Sequence, residues 1–317
     1  MSSTWPHGTL LSMKPTIAKP VVPIPASTVI LVRELKGQLQ VYLLKRSLQS
    51  DFMPGSYVFP GGTIDPGDQD FDFWKDHVDV IPGQVGSCLG GGGGDMRFED
   101  AMAHGIAAIR ETFEEASVLM AQSTGRADGA TLAQLRQQNA QNSLSGTWIR
   151  DLVFPGEWTL AFSALARWSH WITPKAWARR FDTRFLLAFM PAGQECRPDY
   201  REMTDAAWMT PEAALLGNLE GRVPLSPPTL TTLHELMEYP DARGLKRDLS
   251  RRPWGARRIP RMVPVPEGPL LLLPWDPDYS DPNLTVRVRD LETRQTAMGE
   301  PFSRLWHQKG VWVPLTP

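Results

Sequence analysis

Arg110-Glu111-Thr112-Phe113-Glu114-Glu115, taken with Phe59-Pro60-Gly61-Gly62 upstream, is the stretch on which the reading of the chain turns. Met102, Ile106, Ile109, Phe113, Ala116 and Met120 recur at steps of four and three, the spacing of one face of a helix. That stripe predicts a helix packed on a core. Glu111, Glu114 and Glu115 fall on the other side within about one turn, where like charges repel. Arg110, four before Glu114, neutralises one of them. The remaining charge is either solvated, as acidic helix faces commonly are, or met by a hard divalent cation; carboxylate oxygens suit Mg²⁺ or Mn²⁺. Phe59-Pro60-Gly61-Gly62 follows a strand-like run and gives a turn without Cβ, where a main-chain carbonyl can approach an ion. The two stretches together favour the metal reading.

Their order and spacing resemble the signature of the Nudix hydrolases: a Gly, five residues, Glu, seven residues, then Arg-Glu-aliphatic-x-Glu-Glu-x-Gly-aliphatic. Gly62 is followed after five residues by Asp68, and the second half runs from Arg110 to Val118. Asp68 stands where the signature has Glu. Ser117 stands in place of its closing Gly, a change that an ordinary backbone conformation tolerates. Residues 69 to 109 occupy the place of the seven-residue spacer, and the tract Gly90 to Gly94 reads as a flexible linker in a surface excursion.

Tyr42-Leu43-Leu44-Lys45-Arg46-Ser47, then Phe52-Met53-Pro54-Gly55, continues the likeness. This block resembles the coenzyme A diphosphatases among the Nudix hydrolases, most closely the peroxisomal acyl-CoA branch, with Asp51 where that signature has Arg. Trp168 to Pro174 and Arg179 to Leu187 are similar to the same branch.

The resemblance spans residues 24 to about 280. It implies an α/β fold, an α/β/α sandwich with a mixed sheet, and hydrolysis of the diphosphate of coenzyme A or acyl-CoA to 3′,5′-ADP and (acyl)phosphopantetheine. It further implies metal binding by Gly62, Glu111, Glu114 and Glu115, catalysis by Glu111 and Arg110, and substrate contacts at Arg46 and Ser47. Glu202, six before Trp208, matches a further Glu that several Nudix hydrolases use as ligand or base. An ADP-sugar or a dinucleotide is the alternative substrate. A degenerate ligand- or RNA-binding module is the alternative class, against which the retained Glu111, Glu114 and Glu115 argue.

The expected organisation is a tail over 1–22, a Nudix domain over 23–280 with an insertion at about 69–98, and a C-terminal extension over 281–317. Ser27 to Arg33 and Leu39 to Leu44 read as a hairpin. Asp128 to Ser143 and Pro227 to Glu238 read as helices, and Ala206 to Met209 as a strand entering a helix capped by Thr210 with Pro211 in its first turn. Val263 to Leu273 suggests a closing hairpin, with weak strand signals beyond. His170, between two tryptophans, reads as a core histidine.

Composition narrows the partners. An apolar content of 42% supports a sizeable core, and the net charge of −2 gives no global pull on nucleic acid, which is not expected as a partner. The apolar run Leu270 to Leu273 is far too short to span a bilayer, and the N-terminus has no basic stretch leading into an apolar one. Cys88 and Cys196 form no disulfide framework and no metal-binding spacing. A small nucleotide substrate and a cytoplasmic setting are expected, the tail Leu315-Thr316-Pro317 lacking a Ser-Lys-Leu-type address. The one basic concentration, Arg243 to Arg261, offers Arg251, Arg252, Arg257 and Arg258 for substrate phosphates, unless it is a solvated face.

Overall fold

Residues 21–80, 89, 96–123 and 128–317 are described by the computed structural model. The central strand is β1 (Ile24–Leu35), antiparallel to β2 (Gln38–Arg46) on one side and parallel to β8 (Phe181–Phe189) on the other. β7 (Ala166–Ile172) extends the sheet beyond β8; β3 (Tyr57–Val58) and β9 (Met203–Met209) pair with β2, and β4 (Gly61–Thr63) with β1. The sheet is therefore mixed. Lys36 and Gly37, with φ of 53° and 77°, close the β1/β2 hairpin in the two-residue form whose twist matches the strands.

Alternation along the strands builds two cores. Val29 and Leu31 of β1, with Leu44 of β2, face one layer; Ile30 and Val32, with Leu43, face the other. Against the first layer lies α2 (Phe98–Ala116), whose predicted stripe Met102, Ile106, Ile109, Phe113 and Ala116 is wholly buried. Trp74 at the end of α1 (Phe71–Trp74), together with Val80 and Leu89, packs into the same core. Leu89 also accepts a hydrogen bond from the Trp254 indole, so the stretch read as an excursion is anchored there. The tract Gly90 to Gly94 and Cys88 lie outside the described residues.

β5 (Ala121–Ser123) and β6 (Trp158–Leu160) form a small ribbon flanking α3 (Asp128–Ala140) and α4 (Trp148–Val153). The second layer holds α5 (Pro211–Leu219), α6 (Pro227–Leu236) and α7 (Ala242–Leu249). The Thr210 hydroxyl caps α5 by accepting from Ala213 N–H, with Pro211 at the first turn, as the sequence predicts. Beyond α7, β10 (Arg261–Val263) and β11 (Leu270–Leu272) make the expected hairpin; α8 (Val288–Glu292) follows. β12 (Arg304–Gln308) and β13 (Val311–Leu315) then complete a four-stranded antiparallel sheet. Residues before and after position 280 thus share one sheet, and Leu271, Leu305 and Trp312 join the second core. No helix among the described residues is long and apolar enough to cross a membrane.

The end of α2 departs from expectation. Ser117 adopts φ 58°, ψ 26°, the left-handed conformation that glycine takes without steric cost. A serine there strains its Cβ against the backbone by roughly 1 kcal/mol. Ser117→Gly is therefore expected to raise unfolding stability by about 0.5–1 kcal/mol in urea titration, the gain being reduced by the looser unfolded chain.

Candidate active site

Arg110 is buried on α2 and spends all five of its N–H donors on the chain. Its Nε and Nη2 grip the Asp68 carboxylate at 3.1 and 2.9 Å, and Nη2 also donates to the Thr63 carbonyl at 2.9 Å. Nη1 donates to Glu111 at 2.9 Å and to Glu114 at 3.0 Å. One guanidinium thus ties the helix to the loop after β4, and fork-to-carboxylate pairing fixes the geometry as well as the charge. Asp68 is 2% exposed, so a carboxylate of shorter reach than Glu still meets the arginine because the loop carries it inward.

The carboxylates part company from there. Glu114 receives a second donor, the Trp148 indole at 2.8 Å, and Trp148 packs on Phe113 at 4.7 Å between ring centres. Asn139 of α3 donates to the Phe113 and Glu114 carbonyls, satisfying acceptors that the end of a helix leaves open. Glu115 turns to the glycine loop, accepting from Gly61 N–H at 2.8 Å. A Cβ on Gly62 would collide with the Glu111 carboxylate, and one on Gly61 with the Ser27 carbonyl. Both glycines are required by close approach. Behind the loop, the Ser27 hydroxyl and His104 Nδ1 hydrogen-bond at 2.9 Å, and burial takes His104 down to about 4.

Burial dominates the acid chemistry. It raises Glu111 to about 7, with Arg110 pulling down and Glu114 pushing up. Burial and then the Glu111 charge hold Glu115 well above the usual carboxylate range. Glu111, Glu115, Gly61 and Gly62 form one end of a cavity of about 370 Å³, which Arg46 and Glu202 also line. Arg46 Nε donates to the Phe52 carbonyl at 3.0 Å, and its other N–H groups have no partner among the described residues. The Glu202 carboxylate likewise bonds to none of them.

No group of three or more His, Cys, Asp or Glu side chains among the described residues stands ready to hold a metal ion. What the cavity does offer is two carboxylates held above their ordinary pKa by burial, both facing glycine backbone. Hard oxygen donors that repel one another fit a divalent cation better than they fit an empty space.

A family model described as NUDT19 Nudix domain matches residues 93–236. An acyl-coenzyme A diphosphatase NUDT19 of Xenopus laevis is 28% identical over 288 residues, covering 78% of this chain and 73% of that protein. The Homo sapiens protein of the same name is 28% identical over 279 residues, covering 76% and 72%. A NUDIX hydrolase structure from Alicyclobacillus acidocaldarius superposes with a TM-score of 0.56 at 23% identity, covering 74% of this chain and 99% of that one, a likeness of fold. The chain belongs to the Nudix hydrolase superfamily. Its architecture is that of a catalytic Nudix domain, and the general activity that follows is diphosphate hydrolysis.

Of the Nudix residues expected from sequence, the cavity gathers Gly62, Glu111, Glu115, Arg46 and Glu202. Glu114 does not line it, being turned to Arg110 and Trp148. Ser47 lies beside the site through its backbone, its N–H donating to the Glu202 carbonyl at 2.8 Å. The arginines of the basic stretch stand apart from the cavity lining. Arg252 lies over Trp168 at 3.9 Å and pairs with Asp248 at 3.2 Å; Arg258 pairs with Glu235 at 2.6 Å; Arg251 and Arg257 are not cavity residues. Trp148 and Asn139 were not anticipated. No motif marks them, since only folding brings them to the helix end.

The raised Glu111 pKa makes metal-free stability depend on pH. Between about 4.5 and 7 the folded state binds more protons at this group than the unfolded state does. In chelator, stability is therefore expected to fall as pH rises through that window. Glu111→Gln, which keeps an oxygen for Arg110, should flatten the slope in melting curves, with Glu115 supplying what remains.

Proposed function

We propose that this Nudix domain hydrolyses the diphosphate of coenzyme A or its acyl thioesters, with Mg²⁺ or Mn²⁺ held by Glu111, Glu115 and the Gly62 carbonyl. The observation that carries the reading is the cavity wall on which Arg46, with free N–H groups, stands beside Glu111 and Glu115. Relatives named acyl-coenzyme A diphosphatases, alike over 76–78% of the chain, support the choice of substrate. A bound cation supplies charge neutralisation for the substrate oxygens and acidifies water.

The chain's own residues do the rest. Arg46 binds and orients a diphosphate oxygen pair, for which its planar fork is suited. Glu202, unengaged at the cavity wall, accepts the proton of the attacking water. Arg110 never touches substrate; it holds Glu111 directly and Glu114 against Trp148, so that the acidic face is set before substrate arrives. Gly61 N–H fixes Glu115.

Mass spectrometry of products from coenzyme A, an ADP-sugar and a dinucleotide, with and without chelator, tests this. The expected products are 3′,5′-ADP and phosphopantetheine, formed only with metal. Glu202→Gln should lower kcat by about a hundredfold or more with little change in the metal concentration needed. Glu115→Gln should instead raise that concentration. Full turnover of coenzyme A in chelator would overturn the metal assignment.

A further inference from the structure

The cavity has a second end that the carboxylate chemistry does not use. Phe52, Trp177 and Phe181 are partly exposed there, with Phe52 edge-on to both partners at 5.6 and 5.0 Å between ring centres. Arg179 lines the same end; its guanidinium lies 5.2 Å over the Phe181 ring and its side chain is 53% exposed. Its acidic neighbour, Asp51, is 3.9 Å away and solvent-exposed. Arg46 joins the two ends, since it bonds the Phe52 carbonyl while its charge is felt at Glu115.

Aromatic faces beside a cation, with a free guanidinium one step further in, suit a flat base carrying phosphate on both sides of its sugar. An acyl tail has no use for Arg179. A cavity of about 370 Å³ is also near the small end of ligand pockets, enough for a nucleotide but not for a long chain besides. Resting on the coenzyme A reading, we propose that this aromatic arm takes the adenine of the substrate and that Arg179 holds its 3′-phosphate. The acyl end then points out of the cavity, and turnover is indifferent to chain length. The basic stretch 243–261 is not needed for the phosphate, consistent with Arg252 and Arg258 being engaged by Trp168, Asp248 and Glu235.

Steady-state kinetics on coenzyme A, dephospho-coenzyme A, and a short- and a long-chain acyl-CoA separate the possibilities. Arg179→Ala is expected to raise KM about tenfold for coenzyme A and to leave dephospho-coenzyme A within about twofold. Trp177→Ala should raise KM roughly tenfold on all four, and Trp177→Phe, which keeps a ring, should recover most of that. Melting curves confirm that the variants are folded. A Trp177→Ala penalty that grows with chain length would show that the arm holds the acyl tail and overturn the proposal. Equal losses from Arg179→Ala on the first two substrates would equally overturn the 3′-phosphate contact. Should the parent protein cleave ADP-ribose and not coenzyme A, the substrate reading falls by itself. The arm is then upheld by a raised KM of Trp177→Ala for ADP-ribose and overturned by an unchanged one.

Discussion

Everything in the site hangs on a single buried guanidinium. Arg110 is 7% exposed, and a charge in that position is tolerable only if its donors are met. They are met from three directions: Thr63 at the end of β4, Asp68 on the loop after it, and Glu111 and Glu114 on its own helix. That requirement sets the distance between loop and helix. The same distance brings Gly62 so close to the Glu111 carboxylate that no side chain fits between them. The acidic face is thus a consequence of satisfying one guanidinium, which ties loop and helix together.

The sheet supplies the platform. Ser27 of β1 pairs in register with Gly62 of β4 and with Arg184 of β8, so the glycine strand is docked directly on the central strand of the sheet. The two cores hold the platform from opposite faces, α2 on one and α5 to α7 on the other. At the C-terminal end of α2, Asn139 and Trp148 come from the stretch between β5 and β6 to brace the last turn. A helix end is ordinarily where fraying begins. Here the end carries Glu114 and Glu115, and outside donors hold it.

Much of this was legible in the sequence, for identifiable reasons. The α2 stripe was readable because helical period and burial coincide over five turns, and the hairpin because apolar runs flank a glycine turn. The fold class followed from the Gly61-Gly62 and Arg110-to-Glu115 stretches taken together. Three things were not legible. Ser117 gives no sign of its left-handed backbone, because that angle is set by the chain leaving the helix and not by the residue. The roles of Arg252 and Arg258 depend on tryptophans and acids far away in sequence, Trp168 and Glu235 among them, so a count of basic residues could not separate a phosphate site from internal pairing. Asp68 stands where the signature has Glu, and nothing in the sequence marks it as the arginine's bidentate partner.

The electrostatics of the cavity explain why its ends differ. At the carboxylate end, burial raises Glu111 and Glu115 together, so without a cation the end favours protons over full ionisation. A polyanionic substrate entering alone would push these carboxyls further toward protonation. At the aromatic end the fixed charge is positive, with Arg179 at the rim and Arg46 between the two ends. On the proposed metal reading, substrate and cation would favour each other's binding: Glu111, Glu115 and the Gly62 carbonyl would hold the cation, whose charge would make the acidic wall attractive to a diphosphate. Such mutual dependence is reciprocal by linkage, whatever the order of binding.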